Sequence, residues 1–214
     1  MLGIMFQFRA FRLDWKEKII VEKYLYLTEI DWAGAWVNGG EIPVSLASSY
    51  LSNNRGGIMT PDENLIHKSE VPFSSLSETP LLNIKTEGVV KNITIMDCSF
   101  DGVKIPNVTN ASYYREDGLI LSFCNHFSED TARRLSKKAC VKILDIEALK
   151  RHIDSQLECE GVMKDCEYTE DHQRNHFLKS QEDKWQDEFR IFWRIQKNVC
   201  VDIPIGSADL VWKI

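Results

Sequence analysis

The sequence predicts an α+β fold, in which helices flank a mixed, mostly antiparallel β-sheet. Charged side chains recur at alternate positions in 188–195 (EFRIFWRI), which is the period of a strand with two unlike faces. A helix-capping pattern opens the segment 128–157. The chain has 214 residues, of which 43% are hydrophobic and 27% charged, a composition that supports one globular core. We therefore expect a single domain over 1–214.

The first predicted elements are a strand and a short helix. In 19–30, Tyr24, Tyr26 and Thr28 alternate with leucines, which indicates a half-buried strand. Asp31 is the expected N-cap of a helix that ends at a Gly-Gly pair.

The middle of the chain combines a long loop with further strands and helices. An extended piece and one helical turn in 41–51 lead into a loop at about 52–80 that is rich in Ser, Asn, Gly and Pro. Loops of this length are often functional, so we expect a lid here. Strands are predicted at 89–97 and 118–124, and 128–157 divides into a helix, a strand and a second helix.

The C-terminal third is predicted to consist mainly of strands. A strand is expected at 161–168 (GVMKDCEY), followed by a helix or ordered loop at 169–184. The strand at 188–195 comes next, and two more are expected at 199–206 and 208–214. The chain therefore holds at least seven short strands, whose order in the sheet the sequence does not specify.

Composition and charge exclude several classes of protein. The net charge of −6 argues against a general nucleic-acid binder, which would carry a broad basic surface. The basic residues at 133–138 (RRLSKK) are expected to lie on a solvent-exposed face of a helix. The N-terminus lacks the pattern of a secretory signal, and no segment reaches the roughly 20 apolar residues of a membrane span. We expect a soluble, cytoplasmic protein without a membrane partner.

The cysteines and histidines do not predict a metal site. Four cysteines lie in apolar, strand-like runs and are expected to be buried: Cys98, Cys124, Cys140 and Cys200. Cys159 and Cys166 are the closest pair, but they lack a CxxC or CxxH companion. His172 and His176 would share one face of a helix, yet no third ligand is evident, so two exposed histidines are the favoured interpretation.

One C-terminal motif resembles a known family, although the common catalytic signatures are absent. The segment 166–193 (CEYTEDHQRNHFLKSQEDKWQDEFRIFW) resembles the C-terminal signature of a large bacterial family of uncharacterised proteins. That signature is a strand ending in a tyrosine, here Tyr168, then Phe-x-Lys at 177–179, an aromatic residue at Trp185, and Glu-x-Arg at 188–190.

Two upstream segments extend the resemblance. The segment 118–125 (GLILSFCN) is similar to the central strand of that family, and 24–43 is similar to its opening strand, helix and glycine stop. The same order resembles the ADP-ribosyltransferase-like superfamily, in which an early strand carries a polar or aromatic residue, a middle strand a serine, and a late strand the catalytic glutamate. The resemblance implies that superfamily's fold and NAD as cofactor.

The resemblance also implies roles for individual residues. Glu188 would be the catalytic carboxylate, which stabilises the positive charge that forms on the ribose as the nicotinamide bond breaks. Arg190 would keep Glu188 ionised or bind a phosphate, and Ser122 would position the nicotinamide ribose. Cofactor contacts are implied for Tyr24, Tyr26, Thr28, Arg55 and Lys179. Arg55 would reach the pyrophosphate from the lid.

The residues taken alone leave other interpretations open. Glu188 and Arg190 would form a solvent-facing pair on a half-buried strand, Ser122 a hydrogen-bonded core serine, and Arg55 a plain turn residue. A nuclease interpretation of the acidic pairs at 182–183 and 187–188 is weaker, since adjacent side chains on a strand point apart.

Two functions follow from the resemblance. The first is an NAD-dependent ADP-ribosyltransferase that modifies a protein or nucleic acid, as a toxin or phage-defence effector with an antitoxin partner. The alternative is a catalytically inactive module of the same fold that binds a nucleotide or a partner.

Overall fold

A computed structural model describes residues 21–50, 66–68, 89–104, 107–114, 117–171 and 175–214. Its main sheet has eight strands, and every strand pair in it is antiparallel. These strands are β1 (Lys23–Leu27), β2 (Gly40–Leu46), β8 (Leu119–Cys124), β9 (Ala139–Ile143), β10 (Val162–Asp165), β13 (Glu188–Trp193), β14 (Val199–Ile203) and β15 (Ala208–Lys213).

Short strands outside the main sheet form three smaller sheets in the described part of the chain. They are β3 (Ile66–Lys68), β4 (Val89–Ile95), β5 (Ser99–Phe100), β6 (Val103–Lys104), β7 (Val108–Tyr114), β11 (Glu167–Thr169) and β12 (Leu178–Ser180). Strands β3, β7 and β4 pair with one another, and so do β5 and β6. Strands β11 and β12 are parallel. The predicted α+β class with a mostly antiparallel sheet is therefore confirmed.

The main sheet divides at β8. The strand order is β10-β13-β8-β1-β9-β15, while β2 pairs with both β8 and β14. Strand β1 meets β8 at the register pair Tyr24 and Cys124, whereas β2 meets it at Ser45 and Ile120. Residues 121–123 lie between these two pairings. We call this stretch of β8, where β1 and β2 diverge, the fork, and Ser122 is at its centre.

Three helices in the described ranges flank the sheet, namely α1 (Ala33–Asn38), α2 (Glu129–Arg134) and α3 (Ile146–Leu157). The Ser128 hydroxyl caps α2 by accepting from the Thr131 amide, as the capping pattern predicts. The expected cap at Asp31 is wrong, because Asp31 lies inside a 3₁₀ turn (Ile30–Trp32) that precedes α1. Gly39, whose φ of 78° is a glycine conformation, ends α1.

The largest hydrophobic cluster lies on one face of the main sheet, which we call the core face. Strand β13 contributes Phe189, Ile191 and Trp193, and their alternation matches the predicted period. Apolar residues of α1 and α3 pack onto the same cluster, as do those of β2 and β14. No helix in the described ranges is long and apolar enough to cross a membrane.

Several sequence-based expectations need correction. Cys124 and Cys140 are buried as predicted, but Cys98 and Cys200 are exposed. Cys98 lies in the short segment between β4 and β5, and Cys200 lies on β14 opposite the buried face of Val201. The strand predicted at 161–168 is two strands, separated at the buried Cys166. Within the predicted lid at about 52–80 the structure describes only β3. The rest of that loop, including Arg55, lies outside the described residues.

Candidate functional site

Three adjacent strands carry five of the predicted site residues: Tyr24, Tyr26, Ser122, Glu188 and Arg190. Strands β13, β8 and β1 are consecutive in the sheet, and register pairs join Arg190 to Ser122 and Glu188 to Cys124. Tyr24 also pairs with Cys124. Directly opposed residues of antiparallel strands share a face, so these side chains all lie opposite the core face. We call this the second face of the sheet.

The second face at β13 is covered by protein. Residues 175–187, which we call the cover segment, contain β12 and a 3₁₀ turn (Gln181–Gln186). His176 stacks on Phe192 with ring centroids 4.1 Å apart, and its carbonyl accepts from Arg190 Nη1 at 2.8 Å. The interpretation of Glu188 and Arg190 as a solvent-facing pair is therefore wrong.

Glu188 is the centre of a buried ion network. Arg190 donates to both carboxylate oxygens, from Nε to Oε1 at 2.8 Å and from Nη2 to Oε2 at 3.0 Å. Lys179 Nζ donates to Oε2 at 2.7 Å and to Gln186 Oε1 at 2.5 Å. Only 7% of the Glu188 side chain is exposed, and 3% or less of each cation. The carboxylate is therefore bound on both oxygens in a dry environment.

The charge state of Glu188 follows from these contacts. Burial alone would raise its pKa, because a low-dielectric environment disfavours the charged form. The positive charges and hydrogen bonds of Arg190 and Lys179 outweigh burial and lower the pKa to about 2. Glu188 is thus ionised at neutral pH.

Further contacts fasten the cover segment and its surroundings to the sheet. The Glu188 amide donates to the hydroxyl of Tyr168 at 2.9 Å, and burial raises the pKa of that phenol. Arg134 at the end of α2 lies 3.6 Å above the ring of Trp185, a cation–π contact. These contacts join α2, β11 and the cover segment around the buried carboxylate.

The expected cofactor residues differ in accessibility. Lys179 is buried in the ion network, and Tyr26 is buried with its hydroxyl bonded to both the amide and the carbonyl of Ser128, at 2.7 and 3.0 Å. Burial also raises the pKa of Tyr26. The Thr28 hydroxyl accepts from Lys137 Nζ at 2.9 Å. Tyr24 is half-buried against the ring of Phe127.

Ser122 alone among the expected catalytic residues is open to solvent. Its side chain is exposed although it occupies the middle of a central strand, and both of its neighbours on β8 are buried. Its location at the fork between β1 and β2 explains the exposure, since no strand in the described part of the chain pairs with β8 on that side of Ser122. The interpretation of Ser122 as a core serine is therefore wrong.

The histidine pair differs from the sequence-based interpretation. His176 is buried, not exposed on a helix, and His172 lies outside the described residues. Within the part of the chain that the structure describes, no group of three or more His, Cys, Asp and Glu side chains could hold a metal ion.

One polar cluster of the structure has no signal in the sequence. It joins Asn125 and His126, after β8, to Asp187, before β13. The residues are 61 or more positions apart, so only the antiparallel pairing of β8 with β13 brings them together.

No family model, no curated protein and no solved structure matches the chain. The superfamily resemblance therefore rests on the motifs alone.

Proposed function

We propose that the chain is a nucleotide-binding module with an ADP-ribosyltransferase-like fold, in which Glu188 holds the structure together and does not act on a substrate. One observation carries this proposal. Both carboxylate oxygens of Glu188 are bound by two buried cations under the cover segment.

A comparison of energies supports a structural role. A catalytic carboxylate would have to approach the ribose, and Glu188 could do so only by giving up contacts with Arg190 and Lys179. Breaking a buried ion pair costs about 3–5 kcal/mol. One preorganised group contributes about 2.7–4 kcal/mol to transition-state stabilisation. The cost of releasing the carboxylate is therefore as large as what it would contribute to catalysis.

The accessible part of the site suits a ligand with hydroxyl groups. Ser122 presents its hydroxyl at the fork, and the half-buried Tyr24 lies on the same face of the neighbouring strand. The expected NAD contacts fit only in part, because Tyr26, Thr28 and Lys179 already hydrogen-bond within the protein. We therefore assign ligand contact to Ser122 and Tyr24.

Calorimetry with NAD, combined with a nicotinamide-release assay, tests the proposal. The wild-type chain is expected to bind NAD and release no nicotinamide above the rate without protein. A Ser122→Leu variant should lose binding, because leucine would fill the fork, while the exposed control Glu182→Gln should bind normally. Nicotinamide release by the wild type, or unchanged binding by Ser122→Leu, would overturn the proposal.

A second candidate is the NAD-dependent transferase itself, with a protein or nucleic-acid acceptor. Two features of the sheet favour it. The strands that carry the three motifs are adjacent, and the side chains of Tyr24, Ser122 and Glu188 lie on the same face. As a toxin or defence effector it would need a neutralising partner. This function requires the cover segment to leave Glu188, so it predicts nicotinamide release that Glu188→Gln abolishes in protein shown to be folded by circular dichroism.

A further inference from the structure

The cluster beside the start of β13 has the geometry of an oriented histidine base. His126 Nδ1 lies 2.6 Å from Asp187 Oδ2, and Asn125 Nδ2 donates to the other oxygen, Oδ1, at 3.1 Å. The Asn125 amide also donates to the Asp187 carbonyl at 2.8 Å. Backbone and side-chain bonds together fix the carboxylate relative to the imidazole.

A buried lysine, Lys23, bonds to Asn125 and so connects this cluster to the interior of the protein. Lys23 Nζ donates to Asn125 Oδ1 and lies 4.2 Å above the ring of Phe189. Only 10% of the Lys23 side chain is exposed, so its ammonium group is held in place. Burial alone would raise the pKa of Asp187, but its hydrogen bonds to His126 and Asn125 outweigh burial and lower that pKa. The carboxylate on the imidazole is therefore charged at neutral pH.

The hydrogen bond to Asp187 determines which nitrogen of His126 can react. An ionised carboxylate only accepts hydrogen bonds, so Nδ1 carries the proton and Nε2 of the neutral ring carries the lone pair. The His126 side chain is 86% exposed, which leaves the ring open to a molecule from solution. A base oriented through its second nitrogen by a carboxylate is the arrangement used in nucleophilic and general-base catalysis.

The surroundings select the class of substrate. Asp165, 69% exposed at its side chain, lies 3.8 Å from Lys23, whose ammonium group bonds to Asn125. Two carboxylates, Asp165 and Asp187, against the one ammonium group of Lys23 leave this cluster negatively charged, which disfavours an anionic phosphate. Phe127 is 36% exposed next to His126, and its ring packs near Tyr24 with centroids 6.1 Å apart. A neutral acyl group with an apolar or aromatic portion fits this surface.

We propose that His126 and Asp187 form a second reactive site, which hydrolyses activated carboxylic esters that carry an apolar or aromatic group. The Nε2 lone pair attacks the ester carbonyl carbon, and the bond from that carbon to the leaving oxygen breaks. The resulting acyl-imidazolium is stabilised by the Asp187 carboxylate on Nδ1–H. The leaving oxygen departs as an oxyanion. Water then attacks the acyl carbon, which releases the carboxylic acid, the neutral imidazole and one proton, and the oxyanion takes up that proton. The net reaction is ester plus water to acid plus alcohol or phenol.

Hydrolysis of p-nitrophenyl acetate by the full chain tests the proposal. The rate is compared between the wild type and His126→Gln, because the difference cancels reaction at the exposed thiols of Cys98 and Cys200. We expect this difference to be saturable in ester, and about 100-fold above the ester-cleaving rate of an equal concentration of free imidazole. His152→Gln is the matched control and should keep the wild-type rate. In the wild type, Nε2 of His152 already lies 3.0 Å from the Asp202 carbonyl, so this histidine does not offer a free lone pair to the ester.

Two further measurements separate an oriented base from an ordinary surface histidine. Asp187→Asn should lower the His126-dependent rate while leaving the thermal unfolding temperature nearly unchanged. The ¹⁵N chemical shifts of His126 should show a protonated Nδ1 in the neutral ring of the wild type, but not in Asp187→Asn. Equal rates for the wild type and His126→Gln would overturn the proposal. It would also be overturned if Asp187→Asn kept the wild-type rate, or if the neutral ring of His126 in the wild type carried its proton on Nε2.

Discussion

Asp187 and Glu188 are consecutive carboxylates in opposite environments. The Asp187 side chain is 46% exposed and meets a histidine on the surface, whereas that of Glu188 is 7% exposed and meets two cations. Asp187 has a left-handed backbone with φ of 46°, and Glu188 begins the strand that turns its side chain under the cover segment. The comparison shows that the location of a carboxylate, and not its charge alone, decides whether it is available for chemistry.

The largest expected effect is that of removing the buried charge. Glu188→Gln should lower the free energy of unfolding by about 3–5 kcal/mol, because the buried Arg190 and Lys179 would both lose the carboxylate charge that they share. Urea denaturation at pH 7 measures the loss. The exposed control Glu182→Gln should change stability by less than about 0.5 kcal/mol. If Glu188→Gln and Glu182→Gln had equal free energies of unfolding, the buried carboxylate would contribute no more to stability than an exposed one.

The pH dependence of stability should reveal the same carboxylate. The pKa of Glu188 is about 2 in the folded chain and 4.5 in its ordinary state. A carboxyl whose folded pKa is depressed stabilises the fold above the unfolded pKa, and that stabilisation is lost as pH falls through the folded pKa. About 3 kcal/mol should therefore be lost between pH 4.5 and 2. Urea midpoints should show a smaller loss over this window in Glu188→Gln, and identical curves would contradict the assignment.

An intermediate effect is expected at the open part of the second face. Ser122→Leu should weaken NAD binding at least about tenfold, or 1.4 kcal/mol, while changing the free energy of unfolding by less than about 0.5 kcal/mol. Calorimetry and urea denaturation of the same protein check both numbers. A large loss of stability would mean that Ser122 is packed and not exposed.

The smallest effect is expected at the exposed carboxylate. Asp187→Asn keeps a residue that tolerates the left-handed backbone and removes the carboxylate charge that accepts from His126. Even an exposed pair of full charges contributes only about 0.2–1 kcal/mol, so the unfolding free energy should fall by no more than that. A loss as large as that of Glu188→Gln would erase the contrast between the two neighbours.

The sequence predicts local features of the fold well, and contacts between distant segments poorly. The alternation in 188–195 correctly separates the core side chains of β13 from the charged ones, because strand geometry fixes that period. It cannot show that the charged face is covered, since the cover depends on how residues 175–187 fold back. Lys179 precedes Glu188 by nine residues, and no periodic pattern links them.

The missed features of the candidate site have the same origin. His126 and Asp187 are 61 residues apart, and only the pairing of β8 with β13 joins them. The exposure of Ser122 depends on the fork between β1 and β2, which no local pattern encodes. Cys98 and Cys200 lie in strand-like runs, but alternation alone does not say which face of a run is covered.

The most direct test of the structural role of Glu188 is the unfolding free energy of Lys179→Met, Glu188→Leu and Arg190→Met combined in one chain. Replacing a whole buried ion network by apolar residues is often neutral or stabilising, whereas removing one charge is costly. The triple variant should therefore recover at least half of the stability that Glu188→Gln loses, and keep the NAD affinity of the wild type. A triple variant that folds stably but no longer binds NAD would contradict this account, because the network would then serve the ligand.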